Sequence, residues 1–287
     1  MSETQYIQRR GLRCALHMWR PTTSVDVHSV AVIFHGFAAH AKYPTVRYAI
    51  ETLTSAGFAC MCLDLPGHGE SEGPRGYIDA ADAVVEDGVA AVDSAMNRFP
   101  GLPVLLVGSS LGGAIAIRVS LCRQVSGLIL LAPMLAIKVH YALRCVLRLL
   151  ALTPLRGVPL IKSSSTSAEA QYKDPERRME CSNDPLSYSG KLAPATAWAC
   201  VDLALSTQAR LGELTAPYLL LIAGDDVVVD NRGADLLEAS ASAGETRRFP
   251  GALHGLLCEP AASRLEIEKT IKEWALKCTG ALGAAGK

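Results

Sequence analysis

At 287 residues and 49% hydrophobic, the chain can bury a sizeable core, which excludes a disordered class. Its 28 Lys and Arg balance 28 Asp and Glu without a long basic tract, which argues against a nucleic-acid partner. Nine cysteines, an odd number without a metal-type CxxC pair, read as reduced core thiols of an intracellular protein.

The opening MSETQYIQRRGLRCALHMWRP lacks the apolar run of a signal peptide, and no window supplies the roughly twenty apolar residues of a spanning helix. A cytoplasmic protein, at most peripheral to membranes, is expected. Residues 4–20 predict two short strands around the RRG turn, and Ser29–Phe34 predicts a compact β-branched strand. A helix is expected from about 42 to 56, stopped by Gly57, and then a buried strand, FACMCLDL (58–65), closed by PGHG. Asp79 is placed to cap a helix running to about Arg98. PVLLVG (103–108) is a strand, SSLGGAIAIRVSLC opens a helix, and GLILLAP (127–133) is again a strand. PYLLLIAG (217–224), a helix near 232–243, ETRRFPG (245–251) and a helix over about 260–277 complete the pattern.

Apolar strands alternating with amphipathic helices predict an α/β fold whose mostly parallel sheet is covered on both faces. The alternation breaks once. Residues 133–216 read as a helical insertion above the sheet, leaving 1–132 and 217–287 as the core.

At 105–117 the chain reads LLVGSSLGGAIAI. A Gly-x-Ser-x-Gly between a parallel strand and a helix builds a turn so tight that neighbouring positions tolerate little beyond hydrogen. Gly108, Ser110 and Gly112 fit the frame, whereas Ser109 would need glycines where Val107 and Leu111 stand. Ser110 is the candidate nucleophile, and the backbone N–H of Leu111 at the helix start is a candidate donor to an oxyanion. The alternative reading leaves the serines as helix caps and the glycines as packing residues. A serine hydroxyl needs a base, and the base an orienting carboxylate, in the order Ser, acid, His. AGDDVVVD offers Asp225, Asp226 and Asp230. Asp226 is chosen because its spacing to Val229 and Asp230 matches an acid loop, with Asp225 a turn residue and Asp230 a cap for the next helix. His254 in FPGALHGLLCEP is the one histidine beyond that loop and the candidate base. The strand ending at Phe34 runs into HGFAAH, where the N–H of Phe37 is the second candidate oxyanion donor and His35 a brace.

These segments resemble the serine hydrolases around monoacylglycerol lipase, within the α/β-hydrolase superfamily. The resemblance rests on HGFAAH, LDLPGHGESEG, GLPVLLVGSSLGGAIAI, SNDPLSYSG, AGDDVVVD and LHGLLCEP, in order, from about Val30 to the last helix. It implies the α/β-hydrolase fold, a lid over 133–216 that forms an acyl-chain tunnel, and hydrolysis of a monoacylglycerol or lysophospholipid to a fatty acid. It implies a small-molecule lipid ester as substrate and no metal or organic cofactor. The chain departs from the family at Ser109, where the animal members have histidine, at Ala39, where they have a glutamate near the glycerol head, and at Leu257, where they have a second histidine. Phe37 is closer to plant members, some resembling lysophospholipases or a hydroxycinnamoyl-type esterase. A non-catalytic ligand-binding protein is the remote alternative.

In VHYALRCVLRLLALTPL (139–155), His140, Arg144 and Arg148 share one helical face, and Leu143, Val146, Leu147 and Leu150 form the opposite stripe. Two compatible readings follow. The leucines roof the active site under solvated arginines, or they make transient contact with a lipid surface. Nothing in the sequence specifies an oligomeric state.

Overall fold

The structure, a computed structural model, describes residues 2–21 and 26–281, so the outermost bounds of the expected core, 1 and 287, lie outside the described residues. Strands β1 (Ser2–Arg9) and β2 (Leu12–Trp19) form a hairpin. Its turn residues Arg10 and Gly11 both have positive φ, the two-residue turn whose twist matches paired strands. The remaining strands are β3 (Ser29–Phe34), β4 (Phe58–Leu63), β5 (Val104–Ser109), β6 (Gly127–Leu131), β7 (Tyr218–Ala223) and β8 (Gly244–Phe249). They assemble in the order β1-β2-β4-β3-β5-β6-β7-β8. β1, β2 and β4 pair antiparallel, and every pair from β4 to β8 is parallel.

Side chains alternate between two cores, as the period of two along a strand requires. Val30, Val32 and Phe34 of β3 join Leu106 of β5 and Leu128 of β6 on one face, whereas Ala31, Ile33, Leu105 and Ile129 face the other. The first face is covered by α2 (Ala81–Arg98), α3 (Leu111–Ser120), α7 (Pro194–Gln208) and α8 (Arg232–Ser240). The second is covered by α1 (Pro44–Thr54) and α9 (Ala261–Cys278). Between β6 and α7 lie α4 (Tyr141–Leu150), α5 (Ala168–Gln171) and α6 (Pro175–Ser182). The outer strands β1 and β8 are polar or charged, SETQYIQR and GETRRF, which discourages edge-to-edge pairing.

The chain passes from β3 to β4 on one side and then back across to β5 on the other. This reversal opens a crevice at the carboxyl ends of β3 and β5. Register places Phe34 opposite Gly108 and Ser109 opposite Leu131, so the loops after β3, β5 and β6 emerge side by side. Three of the four described non-glycine residues with positive φ, Ala38, Ser110 and Ala132, stand at these exits.

Two expectations are corrected. Asp79 does not cap α2; Ala80 holds the cap position without a side-chain bond, and the Asp79 carboxylate is taken by the Tyr77 hydroxyl and by Arg156. On α4, the apolar stripe does not roof the site: only Leu147 is buried, while Leu143 and Val146 remain about half exposed. Arg144 instead turns inward, its Nε donating to the Val139 carbonyl, and Arg148 lies over the Trp198 ring of α7. The long arginine stems can follow the α7 surface with their charges at its edge, which leaves Leu143, Val146 and Leu149 facing out. His140 is the N-cap of α4, accepting the Ala142 N–H.

A Cβ at Gly112 would overlap the Phe34 carbonyl oxygen, and one at Gly108 the Gly112 carbonyl. Both obstacles are backbone and cannot swing away. Gly112→Ala is therefore expected to lower stability by about 3 kcal/mol, a fall of roughly 6–12 °C in Tm. A calorimetric Tm equal to that of the unaltered protein would contradict the close approach of α3 to β3.

Candidate functional site

Ser110 sits between β5 and α3 with φ 54° and ψ −118°, a conformation L-residues adopt only under constraint. Three backbone bonds supply that constraint: its N–H donates to the Leu131 carbonyl, and its own carbonyl accepts from Gly113 and Met134. The hydroxyl stands at the N-terminus of α3, whose first residue, Leu111, has no intrahelical partner for its N–H.

Asp226 follows β7 and is buried. Its Oδ1 accepts from the N–H groups of Val228 (2.8 Å) and Val229 (2.9 Å), and its Oδ2 lies 2.7 Å from His254 Nδ1. An ionised carboxylate can only accept, so the proton is on Nδ1 and the Nε2 lone pair is free. His254 and Ser110 line one cavity, and among the described residues neither Nε2 nor Ser110 Oγ has a hydrogen-bond partner. The other two aspartates point elsewhere. Asp225 is exposed, its N–H bonded to the Ala252 carbonyl. Asp230 accepts the Arg232 N–H at 3.1 Å and pairs with its guanidinium, which together hold its carboxyl below the usual range. The N-cap of α8 is the next residue, Asn231.

The loop after β3 is braced from three sides. His35 donates from Nδ1 to the Gly36 carbonyl (2.8 Å) and accepts the Leu65 N–H at Nε2 (3.1 Å), and burial lowers its pKa. Asp64 accepts from the N–H groups of Ala41 (2.6 Å) and Glu70 (2.8 Å) and from His17 Nε2 (3.1 Å). Burial pushes this carboxyl up, but those bonds, led by His17, outweigh it and hold it at about 2. From above, the Tyr188 N–H donates to the Ala38 carbonyl and Asp184 pairs with His40 Nε2 at 3.0 Å. Phe37 is buried between His68 and Tyr188, and its N–H has no acceptor among the described residues.

The cavity beside Ser110 measures about 170 Å³. Its inner wall holds Gly36, Phe37, Ser110 and His254, and its outer wall is polar, with Ser165, Thr166, Gln171, Ser182, Ser187 and Ser189. The structure thus brings Ser110, His254 and Phe37 to one space, with Asp226 behind the imidazole and Gly108 and Gly112 under the turn. Sequence reasoning missed two contributions. Glu259, buried, accepts the Leu253 N–H at 2.8 Å and so props the histidine loop. The polar wall comes largely from KSSSTSA and SNDPLSYSG, where a run of hydroxyl side chains in an otherwise leucine-rich insertion was the available signal.

Residues 26–261 match the family described as Serine aminopeptidase, S33. The monoacylglycerol lipase of Mycolicibacterium smegmatis is 30% identical to this chain over 90% of it and 92% of that protein. The human monoglyceride lipase is 28% identical over 93% of this chain and 88% of that one. Among solved structures, the monoacylglycerol lipase of Paleococcus ferrophilus has a TM-score of 0.77 at 24% identity, covering 96% of this chain and 99% of that one, a likeness of fold.

His68, against Phe37, donates from Nδ1 to the Pro66 carbonyl, while its buried Nε2 has no partner among the described residues. Burial drives its pKa from 6.5 down to about 3. Above pH 6.5 the imidazole is neutral in both folded and unfolded chains and contributes nothing to the pH dependence. Below it the unfolded chain takes up a proton that the native site refuses, so stability is lost between about pH 6.5 and 3. Calorimetry should show Tm falling from pH 7 to pH 4.5, and less steeply in His68→Asn, which keeps a donor and cannot titrate. An unchanged slope in the variant would contradict the neutral buried imidazole.

Proposed function

Because the chain belongs to the Serine aminopeptidase, S33 family and is a serine hydrolase of α/β-hydrolase fold, we propose that it hydrolyses the ester of a fatty acid with a small polar alcohol, a monoacylglycerol being the type substrate. The observation that carries this reading is the 2.7 Å bond from His254 Nδ1 to Asp226, which leaves Nε2 free in the cavity that Ser110 enters.

In this mechanism Ser110 Oγ attacks the ester carbonyl as His254 Nε2 takes its proton. Asp226 fixes the imidazole's tautomer and stabilises its charge. The N–H groups of Phe37 and Leu111 receive the oxyanion, one from a braced loop and one from a helix N-terminus. The tetrahedral intermediate collapses as His254 protonates the leaving alcohol, giving an acyl-enzyme. Water, deprotonated by His254, then releases the fatty acid and restores the serine.

The polar cavity suits the alcohol portion. Its hydroxyl-rich lining can meet the oxygens of a small polyol. Residues 133–216 act as the cap, rooted by α7 on α2 and α3. On its outer side Tyr141, Leu149 and Leu152 are 77%, 65% and 79% exposed, a cluster suited to transient contact with the lipid surface where such a substrate resides. No helix among the described residues is long and apolar enough to cross a membrane.

The test is a comparison of kcat/KM for monoacylglycerols, lysophosphatidylcholines and hydroxycinnamoyl esters. Monoacylglycerols are expected to lead, and a wide lead for hydroxycinnamoyl esters would overturn the lipid reading. Across Asp225→Asn, Asp226→Asn and Asp230→Asn, the second alone should lose about 10⁴-fold in kcat. A similar loss at either other position would displace Asp226 from its role.

A further inference from the structure

His254 is flanked by two hydrogen bonds that come from different parts of the molecule. On its amino side the Leu253 N–H is taken by Glu259, just beyond the loop. On its carboxyl side the Gly255 N–H donates to the Gln171 carbonyl at 2.9 Å, and Gln171 ends α5 in the cap. Nearby, Lys173 Nζ donates to the Gly251 carbonyl at 3.2 Å. The cap segment 171–173 thus lies along the stretch of chain that carries His254.

Tyr172, at the centre of that segment, is buried and fixed at both ends. Its carbonyl accepts from Arg178 Nε at 3.2 Å and from Nη2 at 3.0 Å. Its hydroxyl donates to that of Tyr43 at 3.0 Å, and Tyr43 is the N-cap of α1, shortly after HGFAAH. Between these anchors the ring lies against Gly255: a Cβ there would fall 2.3 Å from a ring carbon and 3.1 Å from the Gln171 carbonyl oxygen. Tyr43, Tyr172 and Gly255 line the same cavity as Ser110 and His254. A ring held at its carbonyl and its hydroxyl has little freedom of its own, and in a close-packed interior it leaves its neighbour little room to turn.

We propose that Tyr172 is a positioning residue for ester hydrolysis, acting on His254 through Gly255. The backbone that follows the imidazole belongs to a glycine, the residue whose φ and ψ change most readily. Unconfined, Gly255 would let the imidazole swing off the line from Asp226 to Ser110. The Tyr172 ring fills the space such a swing needs, and the Gln171 carbonyl holds the Gly255 N–H. The glycine's missing side chain admits the ring, and the ring in turn removes the glycine's freedom. An imidazole displaced by about 1 Å loses rate more than affinity, so the effect belongs to kcat.

The same side chain joins the two loops between which the ester carbonyl would sit. Through Tyr43 it reaches the chain that leaves the loop after β3, which the cap also grips by the Tyr188 N–H on the Ala38 carbonyl and by Asp184 on His40. A cap that only covered the substrate would need none of these contacts. The effect on turnover rests on the ester-hydrolase reading; the placement of the imidazole is independent of it.

The experiment measures kcat and KM for p-nitrophenyl acetate, and the proton NMR signal of His254 Nδ1–H, in the full chain and its variants. Tyr172→Ala is expected to lose between about 10- and 100-fold in kcat with KM changed by less than about twofold, and to broaden the Nδ1–H signal through exchange with water. Tyr172→Phe keeps the ring over Gly255 and should recover most of the lost kcat. Gly255→Ala, whose Cβ meets the ring, should lose at least about tenfold in kcat in the native background and less than about threefold once Tyr172→Ala has emptied the space. Tyr172→Leu, which fills the buried volume without a ring, takes the place of Tyr172→Ala if that variant does not fold. A folded ring-less variant with native kcat, a loss carried by KM alone, or losses that simply multiply in the double variant would each overturn the proposal. If the unaltered protein hydrolyses no ester, the hydrolase reading fails and the Nδ1–H signal decides alone: a signal as sharp without the ring as with it would overturn the positioning role.

Discussion

The site depends on how closely α3 approaches the carboxyl ends of β3 and β5. No side chain fits at positions 108 or 112, because each would meet backbone oxygen. That approach forces the residue between them into φ 54°, at a cost of order 1–3 kcal/mol. The Leu131, Gly113 and Met134 hydrogen bonds make the strained conformation the only one available. The hydroxyl of Ser110 is thus held by backbone geometry, so little of its position rests on its own rotamer.

Around this fixed point the structure separates charges with care. The histidines packed under the loop after β3, His35 and His68, are kept neutral by burial. Asp64 nearby is kept ionised by backbone donors and His17. The loop is therefore braced by one buried carboxylate whose lone pairs are occupied, without an uncompensated cation to compete for the oxyanion. His254, in contrast, has one nitrogen committed to Asp226 and the other open to the cavity. The two kinds of imidazole differ only in what their neighbours accept and donate.

Much of this was legible in the sequence because it is local. The frame of GxSxG singles out Ser110 over Ser109, and the hairpin follows from Arg-Gly between two strands. The β-strands fell within a residue or two of their expected bounds, since buried parallel strands are continuous apolar runs. What was not legible depends on partners distant in the chain. Asp79 looked like a cap but found Arg156, 77 residues on. Arg144 of α4 looked solvated but found the Val139 carbonyl, while Leu143, Val146 and Leu149 stayed outward. Glu259 carries no periodicity at all; only folding shows that it props the histidine loop.

The central claim is that one hydroxyl, at 110, is activated by the cavity it faces. The most direct measurement is peptide mass mapping after reaction with a fluorophosphonate, which phosphonylates an activated serine and spares ordinary ones. The account predicts a single stoichiometric adduct on Ser110. An adduct on Ser109 or on another residue, or an active esterase that resists the reagent, would contradict it.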